Sequence, residues 1–128
     1  MNPPGLKYSR EHEWLRIEPD GTGVIGITEF AAESLGDIVF VELPEAESTL
    51  IQFEKFGEIE SVKAVSDMYS PINGYVIECN NEVIDRPELV NDDPYLTGWL
   101  LKLKLGEDSG IDNLMGVNEY EAFLASQK

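Results

Sequence analysis

The sequence predicts a small, mainly β protein, a sandwich or barrel carrying short helices that include a helical C-terminus. Three observations lead there. Short runs of β-branched, aromatic and leucine residues recur, turn residues interrupt them about every 8 to 12 positions, and helical spacing dominates only the end of the chain. At 128 residues the chain is long enough for one hydrophobic core and too short for two full-sized domains. The expected division is a single domain, 1–128, with a flexible tail at 1–5, a β core at 6–106 and C-terminal helices at 107–128.

Asn2-Pro3-Pro4-Gly5 cannot join a ladder and buries little, so order is expected to begin near Tyr8. Trp14–Ile17 alternates in polarity like a strand. Pro19-Asp20-Gly21-Thr22 supplies turn chemistry and Val24–Ile27 returns, which makes a hairpin. Thr28 is placed to cap a short helix over 29–35, Gly36 stops it, and 37–43 reads as an apolar strand closed by Pro44. Residues 59–65 are β-favouring on both sides of their centre, Ser70–Gly74 is a turn, and Tyr75–Cys79 is another strand. Arg86–Val90 suits one helical turn, with Pro87 near its start. Residues 98–105 form the last strand, where Leu101, Leu103 and Leu105 alternate with Lys102 and Lys104. Beyond it, Ile111, Leu114 and Met115 share one helical face, Gly116 interrupts, and Tyr120, Phe123 and Leu124 share another, predicting two short helices packed on the sheet.

Charge narrows the function. Lys plus Arg number 9 against 25 Asp plus Glu, a formal charge of −16. Such a surface repels phosphate backbones and anionic bilayers, so nucleic acid and membrane are not expected partners, and a basic protein surface is the natural complement. Cys79 is the sole cysteine and His12 the sole histidine, which excludes a disulfide framework and any zinc site built from several such ligands. No stretch of 18 apolar residues and no signal-peptide pattern occurs, so the chain reads as a soluble protein of a reducing compartment. Gly21, Gly23 and Gly26 spell a dinucleotide-binding GxGxxG. The residues after them are β-branched, however, and a hairpin is expected in place of a helix facing a pyrophosphate.

Paired acids such as Glu11 with Glu13 and Asp92 with Asp93 read as solvated surface, since neighbours in sequence do not face each other across a cleft. Lys63 differs. It stands in Glu60-Ser61-Val62-Lys63-Ala64-Val65-Ser66-Asp67, strand-like on both sides with no glycine or proline, and a tight hairpin would hold its amine out in solvent. Spacing alone separates it little from an ordinary surface lysine, although it is one of only 6.

At this point the sequence resembles the H proteins of the glycine cleavage system. The segment ESVKAVSDMYSPINGYVIECN, Glu60–Asn80, is similar to that family's lipoylation motif. LKYSREHEWLR (6–16), GITEFA (26–31), LGDIVFVELPE (35–45), PELVNDDPY (87–95) and GWLLKLK (98–104) follow in the family's order and spacing. The resemblance implies a barrel-sandwich hybrid, the antiparallel β sandwich of lipoyl and biotinyl domains, with lipoate joined as an amide to Lys63. It implies a carrier and not an enzyme. The dithiolane would take an aminomethyl group from a glycine decarboxylase, give it up to a tetrahydrofolate-dependent aminomethyltransferase, and be reoxidised by dihydrolipoyl dehydrogenase. A lipoate ligase or a lipoyl or octanoyl transferase would install it. Such tethering raises the effective concentration of the reactive group at each docked enzyme.

The resemblance also implies that Glu13 lies near the loaded amine, and that Glu60, Ser61, Val62, Ala64 and Asp67 serve recognition or contact the arm. A monomer is expected, in the cytoplasm of a bacterium or archaeon, or in the mitochondrial matrix if the chain is a processed eukaryotic one. Alternatives are an H-like protein relaying lipoyl groups to other acceptors, a non-lipoylated acidic interaction module, and a biotinyl domain. The last would usually place methionines where Val62 and Ala64 stand. A small enzyme has the least support.

Overall fold

The computed structural model describes residues 2–127, so Met1 of the expected tail and Lys128 of the expected C-terminal helices lie outside the described residues. Among the described residues, nine strands form two antiparallel sheets. They are β1 (Lys7–Tyr8), β2 (Glu13–Ile17), β3 (Gly23–Ile27), β4 (Ile38–Glu42), β5 (Thr49–Leu50), β6 (Lys55–Ser61), β7 (Val65–Tyr69), β8 (Gly74–Cys79) and β9 (Leu101–Leu105). The larger sheet runs β1-β2-β3-β9-β8-β5 and the smaller β4-β6-β7. This is the mainly β, barrel-sandwich arrangement expected. The core lies where apolar residues of both sheets meet, among them Leu15, Ile25, Ile59, Met68, Val76 and Leu103.

Local chemistry accounts for the elements. Leu101 and Leu103 of β9 are buried while Lys102 and Lys104 are not, as period-two alternation requires. The GxGxxG stretch is β3 and its turn: Trp14 pairs with Gly26, and a Cβ at Gly26 would stand 2.7 Å from the Trp14 ring. Helix α1 (Glu29–Leu35) is capped by Thr28, whose Oγ1 accepts the Ala31 N–H at 3.3 Å, and ends at Gly36 with φ 81°. Two further helices, α2 (Asn81–Asp85) and α3 (Glu88–Asp92), pack near β4. Helix α2 was not foreseen, although Asn80 caps it through the Glu82 N–H. The last helix, α4 (Val117–Ser126), follows Gly116.

Two stretches depart from expectation. Ile111–Asn113 forms a 3-10 turn in place of the first C-terminal helix. Gly110 stands before it at φ 81°, and Met115 leaves the helical pattern to bridge Tyr8 through two backbone hydrogen bonds of 2.8 Å. The backbone turns extended at Leu114, φ −96° and ψ 162°, and the pairing of Met115 with Tyr8 takes the place of a further helical turn. The segment read as a loose tail is held at two points: the Pro3 carbonyl accepts from the Tyr8 hydroxyl and Asn2 Oδ1 accepts from the Tyr95 hydroxyl. Tyr8 in turn stacks on Tyr120 at 4.6 Å, so β1 and α4 share an aromatic cluster with Trp14. Among the described residues no helix is long and apolar enough to cross a membrane.

Candidate functional site

Strands β6 and β7 form a hairpin, Glu60 opposite Val65, whose tip is Val62, Lys63 and Ala64. All three are exposed. Ser61, buried just below, braces the turn: its Oγ accepts the N–H groups of Lys63 at 3.3 Å and Ala64 at 3.1 Å, and its own N–H donates to the Ala64 carbonyl at 2.8 Å. The tip is also tied sideways, since the Val62 N–H donates to the Asp37 carbonyl at 3.0 Å. That connector between α1 and β4 is itself held by Asn91 of α3. Its Oδ1 accepts the Ile38 N–H at 2.9 Å and its Nδ2 donates to the Gly36 carbonyl at 2.8 Å. Elements distant in sequence thus fix the direction in which the tip points.

The stem of Lys63 runs past Gly36, where an added Cβ would stand 3.5 Å from Lys63 Cε. Among the described residues its ammonium makes no ion pair. Lys55 on the same sheet is bridged to Glu58 at 2.7 Å and to Asp67 at 3.2 Å. Beside the tip a groove of about 450 Å³ opens between α1 and β7. Phe30, Ser34 and Leu35 form one wall, Val65, Asp67 and Tyr69 the other, and Glu11 and His12 close one end.

Of the residues singled out in the sequence, Ser61, Val62 and Ala64 gather around Lys63. Glu60 lies one row down, between Phe40 and Val65. Asp67 belongs to the groove wall. Glu13 is different: it is 2 % exposed, receives the Ser9 hydroxyl at 2.6 Å and receives the Tyr69 N–H at 3.2 Å. Burial pushes its carboxyl up to about 8, against the two hydrogen bonds that favour its charged form. Asn91 and the Asp37 carbonyl were missed because their partners lie far along the chain. Only Gly36, the helix stop, carried a local signal. No group of three or more His, Cys, Asp or Glu able to hold a metal occurs among the described residues.

A braced hairpin tip, an amine without an ion partner and an adjoining groove define a carrier domain, a scaffold that presents one side chain to other proteins. The profile of the glycine cleavage H-protein family matches residues 6–127. The chain belongs to that family. It is 53% identical over 121 residues to a glycine cleavage system H protein of Symbiobacterium thermophilum, covering 94% of each chain. It is 48% identical over 125 residues to one of Carboxydothermus hydrogenoformans, covering 98% of this chain and 95% of that one. The crystal structure of a glycine cleavage system H protein from Mycobacterium marinum superposes with a TM-score of 0.87 at 39% identity, over 94% of this chain and 97% of the other.

Proposed function

We propose that Lys63 is the attachment point of lipoate, held as an amide, and that through it the chain serves as the lipoyl carrier of the glycine cleavage system. The observation that carries this reading is the exposed, braced Lys63 with a groove beside the hairpin, lined by Leu35 and Val65. The fit is chemical as well as spatial. The groove offers Phe30, Leu35 and Val65 to an apolar tether and polar groups at its far end, while Gly36 leaves the lysine stem free of an opposing side chain. When bound, lipoate supplies a disulfide that opens on accepting a carbon fragment and closes again on oxidation. The protein contributes presentation and shelter, not catalysis.

Each residue then has a part. Ser61 and the Asp37 carbonyl hold the tip so that the amine reaches into a partner's active site. Glu60, one row below the tip, and Asp67, in the groove wall, serve recognition, and the charge of −16 speeds encounter with basic partner surfaces. Glu13 is the carboxylate for an ammonium carried on the arm, and the incoming cation would draw its carboxyl back toward ionisation. The partners in this reading are the glycine decarboxylase, the aminomethyltransferase, dihydrolipoyl dehydrogenase and the lipoate ligase or lipoyl or octanoyl transferase. We place the protein as a monomer in the bacterial cytoplasm.

Intact-mass measurement on protein from a lipoate-competent host tests the attachment. A lipoyl adduct mapped to Lys63 is expected, and Lys63→Ala should fold with an unchanged melting temperature while losing the adduct and all carrier activity. An adduct on another lysine, or glycine-dependent carbon dioxide exchange by Lys63→Ala, would refute the reading. In a reconstituted assay, lipoyl transfer to other acceptors without glycine turnover would select the relay role instead.

A further inference from the structure

His12 stands at the end of the groove away from Lys63. The lysine stem passes Gly36, just beyond α1, whereas the His12 ring lies 4.7 Å from the Phe30 ring at the first turn of the same helix. Between Phe30 and Gly36 the helix rises about 9 Å, a span that an octanoyl-length acyl chain on the lysine covers. Such a tether is thus long enough for its far end, where its sulfurs are, to reach the Phe30 end of the groove, where His12 stands.

The histidine is held in an unusual backbone conformation, φ 71°, by bonds on both sides: its N–H donates to the Ser9 carbonyl at 3.1 Å and its carbonyl accepts the Thr28 N–H at 2.9 Å. Its ring is oriented from α4. His12 Nδ1 is 2.8 Å from the Tyr120 hydroxyl, which is 2.9 Å from Thr28 Oγ1. Thr28 is fully buried, its Oγ1 already accepts the Ala31 N–H, and among the described residues the Tyr120 hydroxyl is its one other hydrogen-bond partner. Its proton must go to Tyr120, so Tyr120 donates to Nδ1 and the imidazole carries its proton on Nε2. The reverse order would strand the threonine hydroxyl proton in the interior. Burial also holds the imidazole pKa below its usual value, with Glu11 pulling the other way, which favours the neutral ring. Nε2 has no hydrogen-bond partner among the described residues, and none of their buried side-chain nitrogens or oxygens is unpartnered, so Nε2 is accessible to solvent, on a residue that lines the groove.

We infer that His12 is the hydrogen-bond donor for the sulfur end of the arm, with its tautomer fixed by Tyr120 and the Phe30 ring packed beside it. This rests on lipoate at Lys63. Glu11 and Asp67, the carboxylates lining the same groove, and Glu13 nearby, repel a thiolate when ionised. Ser34, Ser66 and Tyr69 also bring hydroxyls to the groove, but the His12 Nε2–H is the donor held beside Phe30 with its tautomer fixed from another helix. Tyr120 is a positioning residue, acting from the C-terminal helix on the far end of the cavity.

Because His12 is the single histidine, its imidazole signals in a 15N-labelled chain need no assignment. Two-bond 15N–1H correlation on the unmodified protein should show the Nε2–H tautomer, and Tyr120→Phe should give a mixture at an unchanged fold. An Nδ1–H tautomer in the parent protein would overturn the inference. In the lipoylated protein the Nε2 signal should shift, and shift further on reduction of the disulfide. Titrated by thiolate absorbance, the reduced arm should show an acid dissociation constant about tenfold higher than in His12→Ala, with His12→Gln restoring part of it. If the adduct forms on Lys63 but His12 signals are identical in unmodified, oxidised and reduced protein, this inference fails while the attachment stands. If no adduct forms, both fail.

Discussion

The molecule contains two hairpins of similar size that end differently. The β2–β3 turn closes on itself: the Glu18 N–H donates to the Thr22 carbonyl at 2.8 Å, the Gly21 N–H to the Glu18 carbonyl at 2.9 Å, and Asp20 Oδ1 receives the Thr22 N–H at 3.0 Å. Gly21, at φ 85°, completes it, with open space where its Cβ would stand, and among the described residues no hydrogen bond from another element holds the turn. The β6–β7 tip has no glycine and is secured by a serine hydroxyl from within and by a carbonyl of another element from the side. A turn that only reverses the chain can be built from local residues. A turn that must aim a side chain needs tethers from elsewhere in the fold.

That contrast can be broken in graded ways. Asn91→Ala removes the bonds holding the α1–β4 connector, leaves the buried Ile38 N–H without its acceptor, and should cost about 1–3 kcal/mol in denaturant unfolding. It should also slow lipoylation of Lys63, measured by intact mass over time, because the Asp37 carbonyl no longer stays under Val62. Glu13→Gln probes, through pH, the buried carboxyl that ties β2 to the end of β7. The folded carboxyl is raised to about 8 from 4.5, so the folded state binds more protons than the unfolded one between those values. Stability should be highest below about pH 4.5 as far as this group is concerned, fall as pH rises toward 8, and level off above, and Glu13→Gln should flatten that decline in pH-dependent melting. Ser61→Ala should cost about 1 kcal/mol and slow lipoylation less than Asn91→Ala does. Gly21→Ala, in the other hairpin, should cost about 1 kcal/mol through backbone strain and leave the lipoylation rate unchanged. A change in that rate would erase the distinction between the two turns.

Much of the fold was legible because its signals are local. Thr28 and Gly36 bound α1 at the residues expected, and the Leu-Lys alternation marks β9. Residues 111–115 misled because helical spacing over five positions competes with a bridge to Tyr8 that only the folded chain brings within reach. At the proposed site, Lys63 was singled out through a motif, while the residues that brace it carried no such signal. Asn91 acts on Ile38 from 53 residues away, and no neighbour in sequence announces it. The tie between His12, Tyr120 and Thr28 is equally remote, joining the first and last parts of the chain.

A single projecting amine can be inside only one active site at a time. Every enzyme that uses it must let go before the next can begin, which sets an upper limit on how tightly any of them can hold on. For a cycle turning over at about 10 per second, with association near 10⁶–10⁷ M⁻¹s⁻¹, no partner can bind with a dissociation constant tighter than about 1–10 μM without becoming the bottleneck. Brief, weak visits are built into a one-tip architecture.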